Sequence, residues 1–418
     1  MLTSRERVRK LLAREKIDRI PNGLGASINT GMHMLAYNKL KKILGINNSV
    51  TRMMSFEANA LFDLPVLEAI EADMIPLGLK INPARFWVPE HKEDWKVAEI
   101  WNEKFMIPKR WNVTKDEQGV TWLDGFKWDT FNFNVPLQEA GCRLKCPFEG
   151  YHFDPVYLDN FVPLANPTPD EYHPPYDYLD EWLRTLEESA RWLFENTEYS
   201  IVCDEMINDL QVAAGGAEVW WMRMITEPQG VHAFLAKACE AGLSQLKLLD
   251  QAVGKYADML MIAHDFGDLR GVQIGPERWR EIYKPHYKRL FTEWHKITKM
   301  KVSLHSCGSI RDILPDLIEC GVDVINPVQV SARGMNPEEL KREFGGKIIF
   351  YGGSFDAVGM PVTTPAEVVY EQVRRNIEIL SRGGGYIFSG VHNIQWNVPE
   401  SHLKAVMEAF RDARSVTV

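Results

Sequence analysis

Residues 301–308 read KVSLHSCG, with His305 and Cys307 one residue apart at the end of an apolar, β-branched run. On a strand, residues i and i+2 point to the same face. An imidazole and a thiol at that spacing can be aimed at one point, and together they suit a borderline-soft cation such as Zn²⁺. A catalytic zinc takes three protein ligands and keeps a position open, so two are not enough. His392, in the stretch SGVHNI, ends the last β-branched run and is the candidate third ligand. Glu205 or another strand-end carboxylate is the candidate fourth. The competing reading is plainer: a strand that ends in polar side chains.

The elements that must position these residues follow a repeating order. Short β-branched runs at 19–25, 72–78, 200–205, 257–264, 301–306, 322–328, 347–353 and 385–391 alternate with stretches of helical spacing. IRDILPDLIECG (310–321) places apolar residues at helical intervals and closes on Gly321. TPAEVVYEQVRRNIEILSRGG (364–384) opens with the capping pattern Thr364-Pro365-x-Glu367 and ends in glycines. Eight such strand–helix units predict a parallel α/β fold of the TIM (β/α)8 barrel type, with the whole chain as one domain. Residues 80–180 lack that rhythm and are rich in tryptophan and proline. They read as a long insertion after the second strand, with antiparallel hairpins, forming either a lid over the active face or a decorating subdomain.

In such a barrel the chemistry sits at the C-terminal strand ends. Those ends carry Asp204 and Glu205, then His264, Asp265 and Asp268, then His305 and Cys307, then Asn326 and Gln329, then Tyr351, Ser354 and Asp356, then His392 and Asn393. Glu205 and Asp265 are candidates to position substrate or relay a proton. Asn326, Gln329 and Asn393 are candidates to contact a bound cofactor. His33 follows the first strand and is a candidate to face the mouth, although Met32, Met34 and Leu35 around it also fit the packed start of a helix. His91, His152, His173 and His402 read as loop or surface residues, and the glycines 383–385 as a turn before a strand.

Composition sets outer limits. The 418 residues are 45% hydrophobic and 25% charged, with 48 basic against 57 acidic side chains and a formal charge of −9. That balance argues against nucleic acid or an anionic membrane as the main partner. Six cysteines are too sparse for a disulfide framework. Cys142 and Cys146 lack a matching second pair for a metal knuckle, and Cys203, Cys239 and Cys320 sit in apolar or helical contexts. The start MLTSRERVRKLL has no signal-peptide apolar core and no run is long enough to span a bilayer, so a cytoplasmic location is expected.

Four segments carry a likeness. SRERVRKLLAREKIDRIP, HDFGDLRGVQIGPERWREIYKPHYKRLF (264–291), LHSCGSIRDILPDLIECGVDVINPVQ (304–329) and GGGYIFSGVHNIQWNVP (383–399) resemble the uroporphyrinogen decarboxylase superfamily. The likeness covers residues 1–75 and most of 200–415, and it implies a TIM barrel. True decarboxylases of that superfamily carry an arginine-rich RQAGRY-like segment after the first strand. Here the position reads GLGASINTGMHM (23–34), without an arginine to clamp a substrate rich in carboxylates.

The cobalamin-dependent methyltransferases of the same superfamily hold zinc with His-x-Cys and a later cysteine near the last strand. His305 and Cys307 match the first part, and His392 stands where the late cysteine would be. The resemblance therefore implies zinc on two nitrogens and one sulfur. No histidine in the chain is preceded two residues earlier by aspartate, as the cobalamin loop D-x-H-x-x-G requires. The expected activity is a zinc-dependent transfer of a methyl group between a small substrate and the cobalt of a separate corrinoid protein. The aromatics Phe86, Trp87, Trp122, Trp128, Phe131 and Phe133 suit a methoxylated aromatic substrate, or else form the insertion's own core. The alternatives are a metal-independent decarboxylase of a small carboxylic acid and a non-catalytic binding barrel.

Overall fold

The computed structural model describes residues 2–47, 49–55, 57–79, 94–109, 111–124, 142–146, 154–157, 168–172, 180–207, 210–214 and 216–415. Helix α1 (Ser4–Leu12) begins on a capping box, in which Thr3 and Glu6 each satisfy the other's backbone N–H. Helix α2 (Met34–Leu44) ends on Gly45 in the left-handed conformation. Two-residue strands β1 (Arg52–Met53) and β2 (Ala60–Leu61) form a small antiparallel pair. Strand β3 (Met74–Leu79) then opens the main sheet.

Six strands follow β3 before the main sheet resumes: β4 (Trp95–Ile100), β5 (Glu103–Pro108), β6 (Asn112–Lys115), β7 (Thr121–Asp124), β8 (Cys142–Cys146) and β9 (Asp154–Tyr157). They build two antiparallel arrangements, ordered β2-β1-β5-β4 and β6-β7-β8-β9, in which the β1–β5 pairing alone is parallel. Trp122 lies on β7 and donates to Asp116 at 2.8 Å. Phe86, Trp87, Trp128, Phe131 and Phe133 lie outside the described residues. Cys146 is buried and accepts from Trp101 Nε1 at 3.1 Å.

The main sheet continues with β10 (Ser200–Asp204), β11 (Ala257–Ala263), β12 (Lys301–His305), β13 (Val324–Asn326), β14 (Ile349–Tyr351) and β15 (Tyr386–Ile387). Its seven strands run in the order β15-β14-β13-β12-β11-β10-β3, every neighbour pairing parallel. All residues of β10, β13, β14 and β15 are buried, as expected of strands covered on both faces. The sheet is TIM-barrel-like.

The expected strand at 19–25 is reduced to one parallel bridge, Asn22 to Phe388. Pro21 has no N–H to donate and Gly25 takes a positive φ of 86°, so a regular ladder cannot extend there. The segment still touches both edges of the sheet. Gly23 N donates to Phe388 O at 2.9 Å, Phe388 N donates to Pro21 O at 2.9 Å, and Asp73 N donates to Asn22 O at 2.8 Å.

Inside the sheet, Met74, Val202, Met259, Met261, Val324, Ile349, Tyr351 and Ile387 cluster with Val8, Leu11 and Leu12 of α1. The N-terminal helix thus contributes to the same core as the inward faces of the strands. The two expected helices appear at Leu314–Cys320 and Ala366–Ser381. Gly321 caps the first in the left-handed region (φ 108°), as its spacing predicts. The second is capped differently from expectation: Pro365 occupies the N-cap position and no side-chain cap bond forms. His402 is also corrected, because it is buried and bonded to Thr364 O at 2.7 Å rather than exposed. No helix among the described residues is long and apolar enough to cross a membrane.

Candidate metal centre

Parallel register aligns three strand ends side by side: Ala263 beside His305, and His305 beside Asn326. The chain then turns sharply after His305, and the turn is forced by close backbone approach. Gly308 has φ 80°, and a Cβ there would lie 2.4 Å from the Gly267 carbonyl carbon. Only glycine fits that position, where the 305–308 turn rests on the 264–268 turn.

The turn brings Cys307 Sγ to 3.3 Å from His305 Nε2. The His392 ring stands with its centroid 5.3 Å from that of His305, at 74°. One ligand atom from each of His305, Cys307 and His392 lies within 4.8 Å of the others, the group among the described residues that could share a metal ion. His305 is 3% exposed, whereas Cys307 and His392 are half-buried. The three residues that the H-x-C spacing and the matching histidine single out are therefore brought together. Two imidazoles and one thiol are a donor set that fits Zn²⁺ and leaves a position for a fourth ligand.

Each ligand is braced by polar neighbours. His305 Nδ1 meets Asn326 Oδ1 at 2.6 Å, and Asn326 Nδ2 donates to Tyr351 O at 3.1 Å. Asp265 accepts from Cys307 N at 2.7 Å and lies 3.9 Å from His305 Nε2, with 53% of its side chain exposed. Gln329 Oε1 accepts from Gly308 N at 2.7 Å. His392 Nδ1 contacts Asn393 Oδ1, which also accepts from Gln395 Nε2 at 2.7 Å.

The electrostatics are those of a buried, acid-flanked pair. Burial, helped by His392, pulls the His305 imidazole down to about 4, with Asp265 opposing the shift. Burial also pushes the Cys307 thiol well above its ordinary range, reinforced by the negative charges of Asp265, Glu57 and Asp356. A divalent cation would reverse that balance.

The remaining sequence candidates lie nearby in different roles. Glu205 follows β10 directly, is half-buried and has φ 48°, a left-handed backbone unusual for a residue with a side chain. It is not within the three-residue group close enough to share an ion. His33 is the N-cap of α2: its Nδ1 accepts from Leu35 N at 3.2 Å, and its ring lies 5.0 Å from that of Trp101. His264 is buried, bonded to Tyr287 at 2.7 Å and packed against Phe266 and Tyr283.

Sequence reasoning missed Glu57 and Asn59. Backbone bridges join His33 to Asn59 and Met32 to Ile394, which knits residues 31–33, 58–60 and 392–394 together at the mouth. Asn59 is thereby set against Asn393, its Oδ1 accepting from Asn393 Nδ2 at 3.0 Å. A signal was present in MMSFEANALF, where two polar residues at i, i+2 interrupt an apolar run.

A parallel α/β barrel-like sheet with two histidines and a cysteine gathered at its strand ends defines the class of protein. Residues 212–413 match the family model of uroporphyrinogen decarboxylase (URO-D). The match spans the C-terminal part of the chain, from the loop after β10 to the last helix. Among solved structures, a methyltransferase from Methanosarcina mazei superposes over 99% of both chains with a TM-score of 0.56 at 14% identity. A Xaa-Pro dipeptidase with bound methionine aligns over 72% of this chain and 82% of its own, at 11% identity and a TM-score of 0.27, too low to indicate a shared fold. No curated protein matches the chain in sequence.

Proposed function

We propose that the chain is a zinc-dependent methyltransferase that moves a methyl group between a small substrate and the cobalt of a corrinoid carried by a separate protein. The observation that carries this reading is the convergence of His305, Cys307 and His392 within 4.8 Å at the strand ends. The likeness in fold to a methyltransferase supports it, as does the arginine-free segment 23–34, which offers no clamp for a polycarboxylate.

The three residues would hold the zinc, which when bound supplies a Lewis acid able to polarise a substrate heteroatom. The protein's own groups do the rest. Asp265 keeps the 305–308 turn in place through Cys307 N, and its exposed carboxylate is a proton carrier at the edge of the site. Glu205, at the end of the neighbouring strand β10, is the second candidate for that work. His33, committed at Nδ1 to its helix, shapes the wall beside Trp101. Gln329 holds the ligand turn from the β13 side, and Asn326 and Asn393 stand against the two histidines. A methoxylated aromatic remains the substrate class we favour.

The test is metal content of freshly purified protein, wild type beside His305→Ala, Cys307→Ser and His392→Ala, followed by the absorbance change of cob(I)alamin with candidate methyl donors. Near-stoichiometric zinc in the wild type, lost in all three variants, with donor-dependent methylcobalamin formation, is the expected result. A wild type that takes up no zinc on reconstitution sinks the reading.

A further inference from the structure

Asn326 is fully buried and both ends of its amide are committed. Tyr351 O is a carbonyl and can only accept, so the group facing it at 3.1 Å must be the Asn326 NH2. That leaves Asn326 Oδ1 facing His305 Nδ1 at 2.6 Å. An amide oxygen can only accept, so His305 carries its proton on Nδ1 and leaves a lone pair on Nε2. It is Nε2 that lies 3.3 Å from Cys307 Sγ.

The second histidine is governed by a longer chain with the same logic. The Glu57 carboxylate accepts from Asn59 Nδ2 at 3.0 Å, which turns Asn59 Oδ1 toward Asn393. Asn59 Oδ1 accepts from Asn393 Nδ2 at 3.0 Å, which turns Asn393 Oδ1 toward His392 Nδ1. Asn393 Oδ1 also accepts from Gln395 Nε2, so its identity as the oxygen end is fixed twice. His392 is thereby held with its proton on Nδ1 and its Nε2 open.

We infer that Asn326 and Asn393 are positioning residues, which lock His305 and His392 as Nδ1–H tautomers so that both present Nε2 to one point beside Cys307 Sγ. Glu57 and Asn59 set the polarity of the second lock. A histidine ligand whose other nitrogen is held by an acceptor binds metal in one orientation and without a tautomer penalty. The role of these residues toward zinc rests on the function proposed above; the tautomers themselves do not.

The experiment uses full-length protein with 15N-labelled histidine, stripped of metal and held at pH 8, above the ordinary imidazole range. Long-range 1H–15N correlations distinguish a protonated Nδ1 from a protonated Nε2, and His305→Gln and His392→Gln spectra assign the two rings. Both rings are expected as Nδ1–H. An Nε2–H tautomer for either ring in the wild type overturns the inference, and this readout needs no zinc. Chelator competition then measures zinc affinity. Asn326→Leu and Asn393→Leu should weaken it by about 10–100-fold, the usual cost of losing an outer-shell partner, while Asn393→Asp, which keeps an acceptor, stays within a few-fold of wild type. Unchanged affinity in the leucine variants, or an equal loss in Asn393→Asp and Asn393→Leu, overturns it. A wild type that shows both Nδ1–H tautomers yet binds no zinc sustains the locks and removes the methyltransferase reading instead.

Discussion

The two ends of the barrel handle buried charge in opposite ways. At the N-terminal end, Asp73 is fully buried and takes hydrogen bonds from Arg7 Nη1 at 2.7 Å, from Arg19 at 2.6 and 3.0 Å, and from Asn22 N at 2.8 Å. Arg7 also reaches Asp18 at 2.6 and 2.9 Å, and its hydrogen bonds hold that carboxyl at about 2. Acids and bases there answer each other, and the network fastens α1 and the 19–23 segment to the start of β3. At the C-terminal end the charges do not close in this way. Two imidazoles and a thiol are gathered beside Asp265, Glu57 and Asp356; burial disfavours the charged form of His305 against the pull of Asp265, and burial together with those acids disfavours the Cys307 thiolate. One end is arranged to hold the fold together; the other gathers the side chains of the proposed metal site, and carries strain at Glu205 that stability alone would not select.

That contrast can be broken most sharply at Asp73. Asp73→Ala leaves Arg7, 4% exposed, without its buried partner, and should cost about 3–5 kcal/mol in urea denaturation. Cys307→Ser should do almost nothing to the metal-free protein, within about 1 kcal/mol of wild type. It should instead abolish the stabilisation that the proposed zinc would give the wild type, about 2.7 kcal/mol at a free zinc concentration 100-fold above Kd. If Cys307→Ser unfolds the metal-free protein as severely as Asp73→Ala does, the two ends are not different in kind.

His264 extends the contrast to pH. Burial pulls its imidazole down to about 3, only partly opposed by Asp265. Between the ordinary value near 6.5 and that folded value, the unfolded chain takes up a proton that the folded chain refuses. Stability therefore falls as pH drops through this window, by up to about 1.4 kcal/mol per pH unit for one proton. His264→Gln should flatten the slope between pH 6 and pH 4, measured as denaturant midpoint against pH. A slope identical to wild type would mean that His264 protonates in place.

The smallest effect is expected at His295, on the outer surface, whose bond to Asp323 at 2.9 Å raises its pKa. A raised folded value makes the contribution present below about pH 6.5 and lost as pH climbs through the folded value. The side chain is 36% exposed and screened by solvent, so His295→Gln should cost less than about 1 kcal/mol at pH 6 and nothing measurable at pH 9. A larger loss at pH 9 than at pH 6 would reverse the sign.

Much of the scaffold was legible because it is local. Seven of the β-branched runs became the strands of the parallel sheet, since a strand buried on both faces announces itself by composition over a few residues. Gly321 announced a helix end for the same reason. The 19–25 run misled, because its apolar residues suit a strand while Pro21 and the turn at Gly25 deny it a ladder; only contact with both sheet edges gives it its place.

The site divides along the same line. That His305 and Cys307 share a face at the end of a strand follows from a two-residue spacing, and the sequence alone determined it. It also determined that His392 ends the last strand, and that no arginine follows the first. What it could not determine is how distant segments meet. The approach of His392 to Cys307, the bracing of Cys307 by Asp265, and the line from Glu57 through Asn59 and Asn393 all depend on the curl of the sheet and on backbone bridges between chain segments tens to hundreds of positions apart. Short-range periodicity chooses which face a side chain takes; which partner it finds there is decided by tertiary structure, because hydrogen bonds act over about 3 Å in space and take no account of separation along the chain.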